Sequence, residues 1–487
     1  MGSQGLNLIQ HSFSHDDQRA FAKLSGDYNP IHLDPVKARR TGFGQPVVHG
    51  MHALLWALEV FFTGKTETLK LVSLKTFFKQ PIAVGEKFRL AFKNKDDNNI
   101  EIQILVRNDQ ALRITAQYSP RGTKNNVNFA DSNPNSRECL ERKPEELTHA
   151  TGRLDLSLNK REAALRFPNL MRLLPSDQLA EMMALTKLVG MECPGLNSIF
   201  SDLNLDFSNP CEDSPYLNYK VLSYDSRFGL LTQNIQAPGL AGTLRAFVRP
   251  SPEYQSDFSE LRKLVSENEF SGQTAIILGG SRGLGEVTGK LLAAGGAHVF
   301  ISYYLGSEDA QNIVQQIQKE GGNAKCFAFN VLDLNSFEKE KILKIESPFH
   351  LYYFPTPLIF QGQKNAFSPE LFQEFSNYYL TGFFNTFQTF QKLGSGIQGV
   401  FYPSSVAIDE LPNDMAEYSV AKSAGETLCS ILAKKYPEIN IFAPRLPRTA
   451  TDQTNSLLPT HREDPAPLML KNLRNFRDKA IMEMNSI

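Results

Sequence analysis

From Thr274 onward the chain alternates short apolar runs with helix-forming runs, and this rhythm restricts the fold more than any other feature. Thr274-Ala-Ile-Ile-Leu278 is a short apolar strand. Residues 283–296 (GLGEVTGKLLAAGG) read as a helix that ends in glycines. His298 begins a second strand, HVFISYY. Ser307 caps a second helix that stops at Gly321-Gly322, and Ala324 begins a third strand, AKCFAFNV. Strands separated by helices pair in parallel, because a chain that crosses over a helix re-enters the sheet in the same direction. The spacing therefore predicts a doubly wound α/β sheet over 270–487.

The rest of the chain has a different pattern. A chain of 487 residues is too long for one ordinary core, so several domains are expected. Two polar stretches, 123–135 and 250–272, read as linkers, the second with a short helical run near Leu261. They divide the chain into 1–122, 138–250 and 270–487.

The first two pieces share an order of elements. ALLWALEVFF around Ala53 leads to SLKTFFKQP and to alternating strands that end at Pro120. ALTKLVGMEC around Ala184 leads to LNLDFSNP and to alternation that ends at Pro250. The offset stays at 129 to 131 residues, pairing Pro81 with Pro210 and Pro120 with Pro250. A near-constant offset points to an internal duplication of an α+β unit: one apolar helix, then several antiparallel strands.

Net charge is -1, so no basic field exists to attract nucleic acid or anionic lipid. The five cysteines form no CxxC pair, which argues against a zinc site or a disulfide framework and suits a reducing cytosol. The start, MGSQGLNL, lacks a basic-then-apolar leader pattern, and Leu6 stands where a myristoylation motif needs Ser or Thr. The most apolar helical stretch, 51–62, contains Glu59 and is too short to span a bilayer. A soluble, cytoplasmic protein without nucleic-acid, membrane or metal partners is expected.

Leu278 to Gly285 reads LGGSRGLG between a strand and a helix. Without side chains, Gly279, Gly283 and Gly285 let the turn close and the backbone approach a pyrophosphate, which the helix N-terminus attracts. A nucleotide site is predicted there. Downstream, Tyr418 and Lys422 lie four residues apart, on one face of a helix. An ammonium beside a phenol lowers the phenol's pKa, and a tuned tyrosine can pass a proton to or from a carbonyl oxygen. Ser405 precedes Tyr418 by 13 residues, at the end of the apolar run GVFYPSS, and can donate to the same oxygen.

This constellation resembles the short-chain dehydrogenase/reductase family over 272–450. The resemblance implies a Rossmann-type domain in which Ser405, Tyr418 and Lys422 are catalytic. It also implies that Gly279, Ser281, Arg282, Gly283, Gly285, Asn330 and Val331, with Tyr418 and Lys422, bind the cofactor. Several positions depart from the family. Leu278 replaces a Thr, and Arg445 replaces the Gly of a PGxxxT-like loop, Pro444 to Thr449. Tyr353-Phe354-Pro355-Thr356 stands where the family has Asn-Asn-Ala-Gly. Asn330 replaces an aspartate set against adenine, and Tyr379 replaces a fourth catalytic residue, Asn. NADP(H) is the expected cofactor. The second strand ends Ile301-Ser-Tyr-Tyr304 without the acid that NAD-specific sites use, and Arg282 can meet a 2′-phosphate.

At the other end, Ser14 to Asp17 fits a capping box, with the helix stopping near Ser25 at Gly26. Pro30 breaks any further helix, which puts Asp27 and His32 on an irregular loop. Gln45-Pro-Val-Val-His-Gly50 leads into the apolar helix, so Gly50 stands at a helix N-terminus with N–H groups free to face an anion. An acid, a histidine and such a terminus suit addition of water to an enoyl thioester. One side chain activates water, the other delivers the α-proton, and the N–H donors stabilise the enolate oxygen.

The run FAKLSGDYNPIHLD followed by FGQPVVHGM strongly resembles the MaoC-like (R)-specific enoyl hydratases of the hot-dog fold, over 10–120. The resemblance implies Asp27 and His32 as the catalytic pair, Gly50 as N–H donor to the thioester carbonyl, and Asn29 as a brace. His49 and His52 have no third ligand near them in sequence and read as helix-packing residues. The second repeat has no GDxNPxH run, so it reads as a degenerate hot-dog half that completes the acyl tunnel.

The expectation is two α+β hot-dog domains followed by an α/β Rossmann-type doubly wound domain. Its function would be bifunctional: an (R)-specific enoyl hydratase/3-hydroxyacyl dehydratase plus an NADP(H)-dependent 3-oxoacyl reductase. The two activities share a 3-hydroxyacyl thioester, carried by coenzyme A or an acyl carrier protein, and a homodimer is expected. Two rivals stay open: a hydratase with a silent reductase-like domain, and a non-catalytic acyl-binding module of a larger synthase.

Overall fold

A computed structural model describes residues 9–94, 96–107, 109–121, 129–135, 138–207, 215–337, 348–362, 366–393, 396–456 and 460–484. The segment MGSQGLNL, residues 123–128 of the first polar stretch, and Pro210 lie outside the described residues. The chain forms two compact units, 1–251 with 456–459, and 252–455 with 460–487.

In the first unit the capping box closes as expected. The Ser14 hydroxyl accepts the Asp17 N–H at 3.2 Å, and the Asp17 carboxylate accepts the Ser14 N–H at 2.8 Å. The helix His15–Ser25 stops at Gly26, whose φ of 79° is open to glycine without steric cost. Pro30, however, starts a helical turn rather than preventing one. Its fixed φ and missing N–H suit the first helical position, and Asn29 caps the turn Pro30–Leu33 by accepting the Ile31 N–H. His32 therefore sits on a short helix, and only Asp27 remains on irregular backbone.

The helix Gly50–Phe61 buries Met51, Leu54, Leu55 and Leu58 completely. An antiparallel sheet of Leu69–Phe78, Phe88–Asn94, Asn99–Val106 and Asp109–Pro120 wraps it, the hot-dog arrangement. A second long helix, Ser176–Lys187, is followed by Ser198–Asp206, Tyr216–Asp225, Leu230–Ala237 and Leu240–Val248. Leu69–Phe78 pairs antiparallel with Ser198–Asp206, so both sets of strands belong to one ten-stranded sheet. Lys75 lies opposite Asn204 at this junction. Glu59, the acid within the apolar helix, is buried because it accepts the N–H groups of Asn169 and Leu170 at 2.9 Å each, satisfying the start of the helix Pro168–Leu173.

The second unit is the doubly wound sheet. Six parallel strands run in the spatial order Asn323–Ala328, His298–Tyr303, Thr274–Leu278, Phe349–Tyr353, Ile397–Phe401, Asn440–Phe442. Strand order reverses between Thr274–Leu278 and Phe349–Tyr353, and the crevice at such a switch point is where these sheets bind ligands. The stretch 250–272, read as a linker, gives Phe258, Leu261 and Phe270 to this unit's core. The tail forms the helix Pro465–Met484, which buries Met469, Leu473 and Phe476 in the same core.

Candidate active sites

The turn from Gly26 to His32 faces the N-terminus of the Gly50–Phe61 helix. A carboxylate oxygen of Asp27 and one ring nitrogen each of His32 and His49 lie within 4.8 Å of one another. The His32 Nδ1 is 2.7 Å from the Val47 carbonyl, an acceptor, so Nδ1 carries the proton and Nε2 keeps its lone pair. Burial, helped by neighbouring His49, pushes the His32 pKa down to about 3, so this ring is neutral near pH 7. Burial raises the Asp27 carboxyl above its usual range, against the pull of His32, the Thr186 hydroxyl and the Asn29 N–H.

Gly50 is where a side chain cannot go: a Cβ there would stand 2.8 Å from the Phe78 ring. As the first residue of the helix, Gly50 has an N–H without an intrahelical acceptor. The arrangement joins a carboxylate, a neutral imidazole and a helix N-terminus, a set able to move a proton and hold a developing oxyanion.

What holds Asp27 comes from outside its own sequence motif. Thr186, on the second long helix, donates to Asp27 Oδ2 at 2.7 Å. Gly190 lies so close that a Cβ on it would fall 2.2 Å from Asp27 Oδ1. Asn29 is a brace as expected, and its targets are in the second half: its amide donates to the Gly190 carbonyl at 2.9 Å and the Leu196 carbonyl at 3.2 Å. The only available signal was the repeat, which aligns the helix carrying Thr186 with the Gly50–Phe61 helix.

His49 also proves nearer the site than expected. It stacks on His32 with centroids 3.8 Å apart. Its Nε2 contacts the Asp27 carbonyl at 3.0 Å and its Nδ1 contacts the Gln18 amide oxygen at 2.8 Å. A neutral ring carries one N–H and so donates to only one of these oxygens, while packing against His32 and Phe21 holds it in place. His52 stacks on Phe21.

In the second unit the Gly-rich turn has the expected form. Gly279 and Gly283 have φ values of 70° and 58°, and a Cβ on Gly285 would meet the Gly279 carbonyl at 2.5 Å. The turn therefore leaves a cradle of bare backbone at the start of the helix Gly283–Ala294, and these residues fit a dinucleotide pyrophosphate. Ser281 is buried in the turn, Arg282 pairs with Asp452 at 3.4 Å, and Val331 is buried beyond the third strand. The Asn330 side chain accepts the Leu332 N–H at 3.0 Å, a local turn.

Tyr418 and Lys422 share the helix Ala416–Lys435. Burial pushes the Tyr418 phenol up to about 12, against a hydrogen bond with Ser405. The expected lowering by Lys422 is not what this arrangement gives. The Lys422 ammonium is 5.9 Å from the Tyr418 ring centroid and 3.9 Å from that of Tyr379. It donates to the Pro403 carbonyl at 2.8 Å, and burial brings its own pKa down to about 7. Arg445, the replacement for a family glycine, is explained: it pairs with Glu426 at 2.7 Å and with Asp409.

Residues 6–113 match the family described as "MaoC like domain", and residues 273–460 match "short chain dehydrogenase". The chain is 37% identical over 95 residues to the (R)-specific enoyl-CoA hydratase of Aeromonas caviae, covering 18% of this chain and 69% of that protein. It is 26% identical over 187 residues to the trihydroxynaphthalene reductase PfmaI of Pestalotiopsis fici, covering 37% of this chain and 66% of that one. The 3-hydroxyacyl-[acyl-carrier-protein] dehydratase, mitochondrial, of Arabidopsis thaliana is 35% identical over 78 residues, 15% of this chain and 45% of its own. The chain thus spans less than two thirds of these last two relatives. No described helix is long and apolar enough to cross a membrane.

Proposed function

Because this chain belongs to the MaoC-like hydratase family and carries a short-chain dehydrogenase domain after it, we propose that it is a bifunctional acyl-thioester enzyme. One activity is (R)-specific enoyl hydration, or 3-hydroxyacyl dehydration in reverse. The other is reduction of the 3-oxoacyl thioester with NADP(H). The observation that carries this reading is the approach of Asp27 and His32 to within 4.8 Å beside the Gly50 helix N-terminus.

In the proposed hydration, the Asp27 carboxylate takes one proton from water as the water oxygen bonds to the β-carbon and returns that proton to the α-carbon, while the His32 Nε2 lone pair accepts a hydrogen bond from the water's other hydrogen and orients it. The Gly50 N–H holds the thioester oxygen as charge develops on it. Thr186 and the Asn29 N–H keep the carboxylate aimed. In the proposed reduction, NADP(H) supplies or accepts the hydride. Tyr418 exchanges a proton with the substrate oxygen, Ser405 holds that oxygen, and Lys422 sustains the tyrosine. Gly279, Gly283 and Gly285 admit the pyrophosphate, and Arg282 faces the 2′-phosphate after leaving Asp452. Ser281, Asn330 and Val331 complete the cofactor pocket.

The proposed domains are 1–122, 138–250 and 270–487, the middle one a degenerate hot-dog half. The pairing of Lys75 with Asn204 supports a duplication, since these residues are related by the repeat offset and meet at the centre of the shared sheet. Proposed partners are a coenzyme A or acyl-carrier-protein thioester and a second copy of the chain. A cytoplasmic setting is part of this reading, supported by the free thiols Cys139, Cys193, Cys326 and Cys429.

A paired assay tests the proposal. Hydration of crotonyl-CoA should vanish in Asp27→Asn and persist in Tyr418→Phe. NADPH oxidation with acetoacetyl-CoA should show the reverse. An unmodified protein that catalyses neither reaction would refute the reading.

A further inference from the structure

Two departures from the dehydrogenase pattern, Thr356 and Tyr379, meet in space. Their hydroxyl oxygens are 2.5 Å apart. Tyr379 is 1% exposed, and its ring lies under the Lys422 ammonium. The Tyr402 ring stands 5.1 Å from the same nitrogen. An ammonium has three donors; among the described residues Lys422 donates to the Pro403 carbonyl, and aromatic faces supply much of its further electrostatic support.

The local backbone explains how a tyrosine fits. Asn377–Gly382 is a π-helical turn, a widened turn that loosens the usual carbonyl pairing. Tyrosine hydroxyls take up two of its carbonyls: Tyr402 donates to Tyr379 at 3.1 Å, and Tyr353 donates to Tyr378 at 2.7 Å. An asparagine at 379 offers no ring to the ammonium. A phenol offers a face to Lys422 and, at its far end, a hydroxyl to Thr356.

We propose that Tyr379 is a positioning residue of the reductase site, its ring holding the Lys422 ammonium and its hydroxyl, anchored on Thr356, holding the ring. This rests on the reductase reading above. The groups that face Lys422 are Tyr379, Tyr402 and Tyr418, with Cys429 and Glu426 on its own helix.

The test follows Lys422 in the free protein by NMR of ¹³C-labelled lysine against pH, and in parallel measures the NADPH dissociation constant and acetoacetyl-CoA reduction. Tyr379→Leu should move the Lys422 midpoint down by about one pH unit, since a desolvated cation–π contact is lost. The acetoacetyl-CoA kcat should fall about tenfold with little change in KM. Tyr379→Phe and Thr356→Val keep the ring. Each should leave the Lys422 midpoint in place and lower kcat by about threefold, and their combination should cost no more than either alone. If Tyr379→Leu does not fold, this ring-preserving pair decides. An unchanged midpoint and kcat in Tyr379→Leu, or additive losses in the pair, overturn the proposal. Absence of both NADPH binding and NADPH oxidation in the unmodified protein would instead sink the reductase reading beneath it.

Discussion

The Thr186 hydroxyl donates to the Asp27 carboxylate at 2.7 Å, although 159 residues separate them in the chain. A hydrogen bond to an ionised group contributes roughly 1.5–3 kcal/mol and favours the charged form. Thr186→Val keeps the shape and removes the donor. Hydration of crotonyl-CoA should slow about tenfold, and the acidic limb of its pH–rate profile should move to higher pH as the Asp27 carboxyl rises further. An unmoved limb would show that Thr186 does not act on Asp27.

Gly190 makes a sterner test of the same contact. The methyl group of Gly190→Ala would stand 2.2 Å from Asp27 Oδ1, far inside van der Waals distance. The carboxylate must swing away or the helix must shift. Hydratase activity should drop by at least about a hundredfold while NADPH binding in the second unit stays unchanged, since misplacing a reacting group by an ångström is enough for such a loss. Near-normal hydration in this variant would contradict the placement of Asp27.

Acid should weaken the first unit. Burial pushes His32, His49 and His52 from 6.5 down to about 3. The folded protein thus binds fewer protons than the unfolded chain below pH 6.5. The stability is fully present above that pH and is lost as pH falls toward 3, by at most about 1.4 kcal/mol per pH unit for each histidine. Asp27, shifted upward, opposes this in part where it takes up its own proton. Trp56, the single tryptophan, stacks on His11 and reports unfolding of this unit. Its urea midpoint should fall between pH 7 and pH 5, and a flat midpoint would count against burial of neutral histidines.

Arg282 should decide cofactor preference. It is held 3.4 Å from Asp452 and lies in the Gly-rich turn. Arg282→Ala should weaken NADPH at least about tenfold and leave NADH nearly unchanged, because only the 2′-phosphate needs the guanidinium. Asp452→Asn removes this ion pair and should tighten NADPH. Equal weakening of both cofactors by Arg282→Ala would remove the basis for an NADP preference.

Much of the molecule was legible in local pattern. The capping box at Ser14, the stop at Gly26 and the strand–helix rhythm after Thr274 are properties of a few adjacent residues, and the structure contains them all. Two local inferences went wrong for local reasons. Pro30 was read as a breaker, yet at a first helical position its ring is already in the helical φ range. Lys422 was expected to tune Tyr418, yet helical spacing puts two side chains on one face without saying where a long one ends, and the Tyr379 ring captures the ammonium.

The order of apolar and polar residues along the chain determined which segments became helix or strand, because those choices depend on neighbours within a few positions. It also named Asp27 and His32, which are five residues apart, and Tyr418 and Lys422, which are four apart. Only the folded chain could bring Thr186 and Gly190 to Asp27, or Thr356 to Tyr379. Those partners come from separate helices and loops, and their meeting depends on how buried surfaces pack, which no short window of sequence encodes.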